Sequence, residues 1–155
     1  MKNLFAFCCF VVLSALSAQA QTITINNPTS CTVYYVITYE DALLNTYTLY
    51  NKVIPGMTAC YTPAGGGGCG SLSGTAPLSY KSINLNTLPA LFCPAVPATS
   101  PCPNTNSVDI GTTTTPFPPS DCFEVAVSCN ACASGTQVNG TWTDLTLGDV
   151  QVDLL

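Results

Sequence analysis

The sequence predicts an all-β fold: a small disulfide-stapled β-sandwich or Greek-key domain with long Pro/Gly-rich loops, preceded by a cleaved signal peptide. Several short stretches alternate apolar and polar residues with a period of two, which indicates half-buried strands. No stretch keeps a helical apolar stripe beyond about one turn. The 155 residues also include 12 Pro, 11 Gly and 10 Cys, and short strands between such turn residues are typical of sandwiches.

Residues 1–20, MKNLFAFCCFVVLSALSAQA, have the three parts of a secretory signal peptide. A positive charge precedes an almost wholly apolar run from Leu4 to Leu16, and an A-x-A cleavage site follows at 18–20. A membrane anchor is the alternative, but a transmembrane helix needs roughly 20 apolar residues and this run is shorter. We therefore expect a secreted or cell-surface protein whose mature part, residues 21–155, is one domain without a membrane span.

Four strands are predicted in the first part of the mature chain, over 22–25, 31–39, 46–54 and 57–62. The second has one face made of Cys31, Val33, Tyr35, Ile37 and Tyr39. In the third, Tyr47, Leu49 and Val53 share a face. An Asn-Asn-Pro turn follows the first strand, and Pro55-Gly56 separates the last two.

Two long loops are predicted in the middle of the chain. Residues 63–77 are Gly-rich, and residues 89–119 are rich in Pro and Thr. A strand over 79–85 lies between them. Proline removes the N–H group that a central strand needs, so the second loop is expected to hold only a short edge strand at 107–110.

Three further strands are expected over 121–129, 136–143 and 145–154. In the last of them, Leu145 and Leu147 are out of phase with Val150, Val152 and Leu154. Gly148 lies between the two sets, and this pattern predicts a β-bulge that shifts the inward face by one residue.

Eight cysteines remain after removal of residues 1–20, and an even number suits a disulfide framework in an oxidising compartment. They are Cys31, Cys60, Cys69, Cys93, Cys102, Cys122, Cys129 and Cys132. Two pairs share a spacing of nine, 60 with 69 and 93 with 102, so we expect short local bridges there. A metal site and a catalytic dithiol at the CxxC motif are the alternatives, but export and the absence of His favour structural disulfides.

The charges exclude several functions. The chain has three Lys, no Arg, no His and a formal net charge of −5. An acidic chain is repelled by phosphates, so no nucleic-acid partner is expected. Without His the usual general base near neutral pH is missing, and we expect no cofactor, no metal and no catalytic residues.

Two groups of carboxylates are alternatives to this expectation, one for catalysis and one for metal binding. Asp121 and Glu124 resemble a glycosidase pair, but residues three apart in a strand point to opposite faces. Asp144, Asp149 and Asp153 offer oxygen ligands for calcium, although their spacing matches no EF-hand loop. Whether these three bind calcium is left open by the sequence.

Aromatic residues provide the candidate binding site. If Tyr35 and Tyr47 lie in the core, Tyr34 and Tyr50 point outward among threonines, and such a face suits sugars. The threonines expected around them are Thr22, Thr24, Thr38, Thr46 and Thr48. Trp142 either belongs to this platform or fills the core. The alternative for the whole face is a second sheet packed on it, or ordinary β-propensity of Thr and Tyr.

The sequence thus predicts a secreted, non-catalytic structural or adhesive protein of the extracellular surface. Its expected partners are an extracellular polysaccharide or other surface subunits, and an exposed strand edge makes self-association a further expectation. The alternative is a carbohydrate-binding module that uses Tyr34, Tyr50 and Trp142. A small secreted hydrolase that uses Glu124 is a third hypothesis.

Overall fold

The structure is a computed structural model, and it describes residues 21–86, 104–105, 107–112, 115–125 and 136–155. The predicted signal peptide lies outside the described residues. The strands in order are β1 (Ile23–Asn27), β2 (Val33–Glu40), β3 (Thr46–Val53), β4 (Met57–Thr62), β5 (Gly70–Ser71), β6 (Ser79–Asn86), β7 (Asn104–Thr105), β8 (Ser107–Gly111), β9 (Ser120–Val125), β10 (Gln137–Asp144) and β11 (Val150–Leu154). One 3₁₀ turn, Thr146–Gly148, joins the last two.

These strands form two sheets, and the predicted all-β sandwich is confirmed. The larger sheet has the order β5-β4-β1-β11-β10-β9-β7, and the smaller one has the order β3-β2-β6-β8. In the larger sheet β1 and β11 run parallel, with Ile23 opposite Val150. The first and last strands, β1 and β11, are therefore neighbours in the middle of the larger sheet.

The core lies between the inner faces of the sheets, where alternate residues of each strand meet. Along β2 and β1 every second residue is buried, as the period-two pattern predicts. The principal buried side chains are Ile23, Ile25, Val33, Tyr35, Ile37, Tyr39, Ile83, Leu85, Ile110, Val138, Trp142, Val152 and Leu154. Burial of this apolar surface is the main stabilising contribution to the fold.

The two sheets pack closely at Gly140 of β10. A Cβ atom at this position would lie 2.4 Å from Leu85 Cδ1 and 3.0 Å from Ile110 Cδ1, both on the smaller sheet. The glycine therefore leaves the space that these two buried side chains fill. Sequence alternation alone does not reveal this contact, because it joins strands of different sheets.

The prediction of one strand over 145–154 is wrong in its first half. Residues Thr146–Gly148 form a 3₁₀ turn, in which Leu147 (φ 66°) and Gly148 (φ 83°) adopt the left-handed conformation. The turn is closed by Leu145 N–H, which donates to Asp149 O at 2.8 Å. A turn and not a bulge explains the change of phase at Gly148, and Leu147 is exposed. The irregularity of register that the structure does contain lies in the β2–β6 pair, between Thr38 and Tyr39.

The predicted loops differ from expectation by two short strands, because β7 (Asn104–Thr105) lies in the loop that was expected to hold a strand at 107–110 alone, and β5 lies in the Gly-rich loop. Residues 63–77 form a loop that contains only the two-residue strand β5. The short strand predicted at 107–110 is β8, at the edge of the smaller sheet.

The disulfide predicted between Cys60 and Cys69 is present, with the Cα atoms 4.7 Å apart. Cys31 and Cys122 are also disulfide-bonded. The other four predicted cysteines, and residues 126–129 of a predicted strand, lie outside the described residues; the four are Cys93, Cys102, Cys129 and Cys132.

Candidate functional site

The smaller sheet presents a largely polar surface on the side away from the core. It consists of the outward residues of β2 and β3, and we call it the Tyr–Thr face: Tyr34, Val36, Thr38, Thr46, Thr48, Tyr50 and Lys52. Within the described residues no strand packs on it, because the two sheets meet through their opposite faces. The hypothesis that a second sheet covers these residues gains no support from the described part of the chain.

The register of the β2–β3 pair fixes how the two tyrosines lie. Tyr34 is opposite Lys52, and Val36 is opposite Tyr50. Tyr34 and Tyr50 are therefore diagonal neighbours on one face, a relation that separates them by about 7–8 Å. Two rings at this spacing on one sheet face form a platform longer than one ring.

The two tyrosines differ in exposure. Tyr50 has 74% of its surface exposed. Tyr34 is half-buried, and Lys52 Nζ lies 6.0 Å from the centroid of its ring. At this distance the ammonium is attracted weakly to the ring face. Tyr50 is thus the more accessible ring of the platform.

Charge is scarce around the platform. At one end Glu40 is paired with Lys81, with Nζ and Oε2 3.0 Å apart. On the neighbouring strands Asn84 Nδ2 donates to Asp109 Oδ1 at 3.1 Å. The middle of the face is left with tyrosine rings, threonine hydroxyls and one ammonium, groups that contact apolar surfaces and bond hydroxyls.

Tyrosine side chains beneath the face form hydrogen bonds and a ring stack on the core side of this sheet. The hydroxyls of Tyr35 and Tyr61 are 2.7 Å apart, and Asn51 Nδ2 donates to the Tyr61 hydroxyl. Tyr39 and Tyr47 stack with their centroids 5.5 Å apart. Desolvation by burial, followed by the hydrogen bond with Tyr61, raises the pKa of Tyr35, so its hydroxyl stays neutral and hydrogen-bonded.

Two parts of the predicted site lie elsewhere. Thr22 lies just before β1, and Thr24 lies in β1, where it pairs with Cys60 in the larger sheet. These two threonines are therefore not part of the Tyr–Thr face. Trp142 is also on the larger sheet, and it is buried in the core with Nε1 donating to Asp144 Oδ1 at 2.8 Å. The structure therefore brings Tyr34 and Tyr50 together and leaves Trp142 apart from them.

Val36 and Lys52 also lie on this face, as the period-two pattern predicts, because each is an even number of residues from an outward tyrosine on its own strand.

The three aspartates considered for calcium point to different neighbours. Asp144 accepts bonds from Trp142 and Thr112, whereas Asp149 Oδ1 accepts Thr22 N–H at 2.7 Å. Asp153, near the far end of β11, accepts bonds from Asn26 and Gln151. Among the described residues no three His, Cys, Asp or Glu side chains come together as a metal site. Calcium binding by the three aspartates is therefore not proposed.

The carboxylates of the hydrolase hypothesis occupy β9. Asp121 is opposite Gly140 and Glu124 is opposite Gln137, so the strand pairing keeps them three residues apart on one strand, where successive side chains alternate between faces. The Asp121 carboxylate accepts Cys122 N–H at 2.8 Å and is exposed.

A concave feature lies at the far end of β1, β4 and β11. This cleft has a volume of about 400 Å³, and Asn26, Thr58, Met57 and Asp153 are among its lining residues. Its polar groups bond to one another: Thr58 Oγ1 donates to Asn26 Oδ1 at 3.0 Å, and Asn26 Nδ2 donates to Asp153 Oδ1 at 2.8 Å. These polar groups of the cleft are therefore already hydrogen-bonded to one another. The cleft is a second surface at which ligand binding can be tested.

No helix within the described residues has the length and apolarity needed to cross a bilayer. The chain matches no protein-family model, and comparison with curated proteins and with solved structures likewise gives no match.

Proposed function

We propose that the protein is an exported, non-catalytic adhesive protein that binds a neutral polysaccharide through the Tyr–Thr face. Export rests on the signal-peptide pattern of residues 1–20. The proposal joins the two leading expectations from the sequence, adhesion and carbohydrate binding, because one surface serves both.

The observation that supports this function best is the diagonal pair of Tyr34 and the exposed Tyr50 on one sheet face. An aromatic ring covers the apolar face of a sugar, while neighbouring hydroxyls bond the sugar hydroxyls. Thr48 precedes Tyr50 by two residues on the same face. A polymer with repeating rings is favoured over a single sugar, since the platform extends over two rings.

The same surface gives little support for catalysis. The sequence has no His or Arg, and the only carboxylate bordering the face along β2, that of Glu40, is paired with Lys81. A nucleophile needs a nearby base. The amine that the face offers, that of Lys52, lies over the Tyr34 ring, 6.0 Å from its centroid.

Pull-down on insoluble neutral polysaccharides, followed by a glycan array, tests the proposal. We expect the wild-type protein to bind at least one polysaccharide, and Tyr34→Ala with Tyr50→Ala to weaken binding by about tenfold or more, a change of about 1.4 kcal/mol. Thermal unfolding of the same variant confirms that the fold is kept.

Met57→Ala is the matched control, because Met57 is an exposed apolar residue of the cleft on the other sheet. It should bind as the wild type does. Binding that Met57→Ala abolishes and the tyrosine variant retains would place the site in the cleft and contradict the proposal. Absence of binding to every polysaccharide would also contradict it.

A further inference from the structure

The edge strand β3 has features of an interaction surface. Within the described residues β3 pairs with β2 alone, and its other edge has no neighbour. The pairing runs through eight consecutive residue pairs without a bulge, from Val33 opposite Val53 to Glu40 opposite Thr46. Natural edge strands are usually interrupted by bulges, prolines or several charges, and β3 has only Lys52.

The hydrogen-bond pattern shows which backbone groups face outward. Asp41 N–H donates to Asn45 O at 3.0 Å, so these residues form a hydrogen-bonded pair at the start of the hairpin. Because such pairs alternate along an antiparallel ladder, the N–H and C=O groups of Thr46, Thr48, Tyr50 and Lys52 point away from β2. Lys52 N–H agrees, since the Asn51 side chain accepts it at 2.8 Å, a bond that pairing with a second strand would replace.

We propose that β3 pairs antiparallel with β3 of a second copy of this chain, about a two-fold axis at Leu49. Thr48 of each copy then lies opposite Tyr50 of the other, and Thr46 opposite Lys52. The outward backbone groups of both strands meet as hydrogen-bonded pairs in this register. Two four-stranded sheets become one continuous sheet.

Charge is compatible with a second copy as the occupant of this edge. In the proposed register no two like charges are opposite each other, because Lys52 faces Thr46. Glu40 is the neighbour of Thr46 on β2, so it lies two strands from the second copy's Lys52, a distance of about 10 Å. Each dimer contains this pair of opposite charges twice, and the attraction is weak because Glu40 is already paired with Lys81 and salt screens charges at this distance.

Exposed apolar residues at the two ends of β3 favour the same register. Leu44 precedes the strand with 79% of its surface exposed, and Ile54 follows it with 48% exposed. An axis at Leu49 brings Leu44 of one copy beside Ile54 of the other. Leu49 is half-buried against the core, and in the dimer the Leu49 side chain of the other copy covers more of its surface. Burial of these side chains adds the apolar contribution that backbone bonds alone lack.

The dimer goes beyond the proposed function and does not depend on it. If polysaccharide binding is also correct, the two Tyr–Thr faces lie on the same side of the joined sheet. A polymer then contacts both faces at once, and linked sites raise the overall affinity without new contacts.

Sedimentation velocity over a wide concentration range tests the dimer without any ligand. The wild type should show a concentration-dependent dimer. Thr48→Pro removes an outward N–H group that the β2 ladder does not use, so the variant should fold but remain monomeric. Thr48→Ala keeps the N–H group and should dimerise. A wild type that is monomeric throughout, or a Thr48→Pro protein that dimerises as the wild type does, would overturn the proposal.

Cross-linking tests the register, and it decides the question if Thr48→Pro fails to fold. Leu49 would face its own copy as a non-hydrogen-bonded pair, with Cα atoms about 4.5 Å apart, which suits a disulfide. Leu49→Cys should therefore give an oxidised dimer on a non-reducing gel. Thr46→Cys, whose opposite residue is Lys52, should not. No cross-link with Leu49→Cys, or equal cross-linking of both variants, would contradict the proposed register.

Discussion

Asp41 shows how one side chain holds together a part of the chain that the sequence pattern leaves undefined. Its buried carboxylate accepts the N–H groups of Leu43 and Asn45, both at 2.9 Å, and that of Thr75 at 3.2 Å. The β2–β3 turn and the loop before β6 are thereby tied to one group. Desolvation raises the pKa of this carboxyl, but hydrogen bonds, first from Asn45 and then from Thr75 and Leu43, outweigh it and lower the pKa to about 2.

The depressed pKa predicts a loss of stability in acid. The ordinary pKa of this carboxyl is 3.8, and its lower pKa in the folded protein means that folding favours the ionised carboxylate. The resulting contribution to the free energy of unfolding is fully present above pH 3.8. It should be lost as the pH falls from 3.8 towards 2, where the folded protein also becomes protonated. Urea unfolding of the wild type and Asp41→Asn over this range measures the effect. Asp41→Asn should be less stable near neutral pH, and the difference should shrink in acid.

Asp109→Asn is the control, since Asp109 is an exposed carboxylate with one bond to Asn84. It should follow the wild-type pH dependence. A difference between the wild type and Asp41→Asn that stays constant from neutral pH to acid would contradict the role assigned to the Asp41 charge.

Among the elements, β5 and the Gly-rich loop depend on a covalent link. Glycines 65–68 all have positive φ. Because glycine adopts positive and negative φ about equally readily, these residues by themselves do not fix the conformation of the loop. The Cys60–Cys69 disulfide closes the loop at a sequence separation of nine. Leu72 N–H then reaches Thr62 O at 2.9 Å, and β5 pairs with β4.

Replacing both cysteines by alanine should destabilise the protein by about 2–3 kcal/mol, the loop-closure contribution for a loop of this length. Urea unfolding measures the loss. Hydrogen exchange provides the local readout, because the Leu72 amide should exchange faster while amides of β2 in the other sheet keep their protection. An unchanged Leu72 amide would show that hydrogen bonds alone position β5.

For the whole molecule, the decisive contact is the one between the two sheets at Gly140. Valine is a better strand residue than glycine, so local propensity predicts that Gly140→Val stabilises β10. The buried side chains of Leu85 and Ile110 predict the opposite, because they occupy the space a Cβ atom would need. We expect a loss of about 1–3 kcal/mol from overpacking.

Thr141→Val is the comparison, since the next residue points to the other face of the same strand and should change stability by less than about 0.5 kcal/mol. Urea unfolding of the two variants distinguishes the effects. A Gly140→Val protein as stable as the wild type would mean that the sheets do not meet as closely as described.

The sequence by itself determined the longer β-strands of the described chain, and in β1 and β2 it also determined which residues face inward. The period-two pattern from Val33 to Tyr39 is sufficient for this, because side chains of a strand alternate between faces whatever lies around it. The spacing of Cys60 and Cys69 likewise indicated a bridge that the structure contains. The prediction of a single strand over 145–154 was wrong, because an alternation of apolar and polar residues with a change of phase fits a bulge and a tight turn equally well.

Only the tertiary structure decided which strands are neighbours, and that determined the candidate site. Thr24 and Tyr34 alternate in the same way along their own strands, yet β1 and β2 belong to different sheets. Trp142 is similarly placed in the core by contacts between sheets. Alternation is a property of one strand, whereas pairing depends on interactions between residues far apart in the chain.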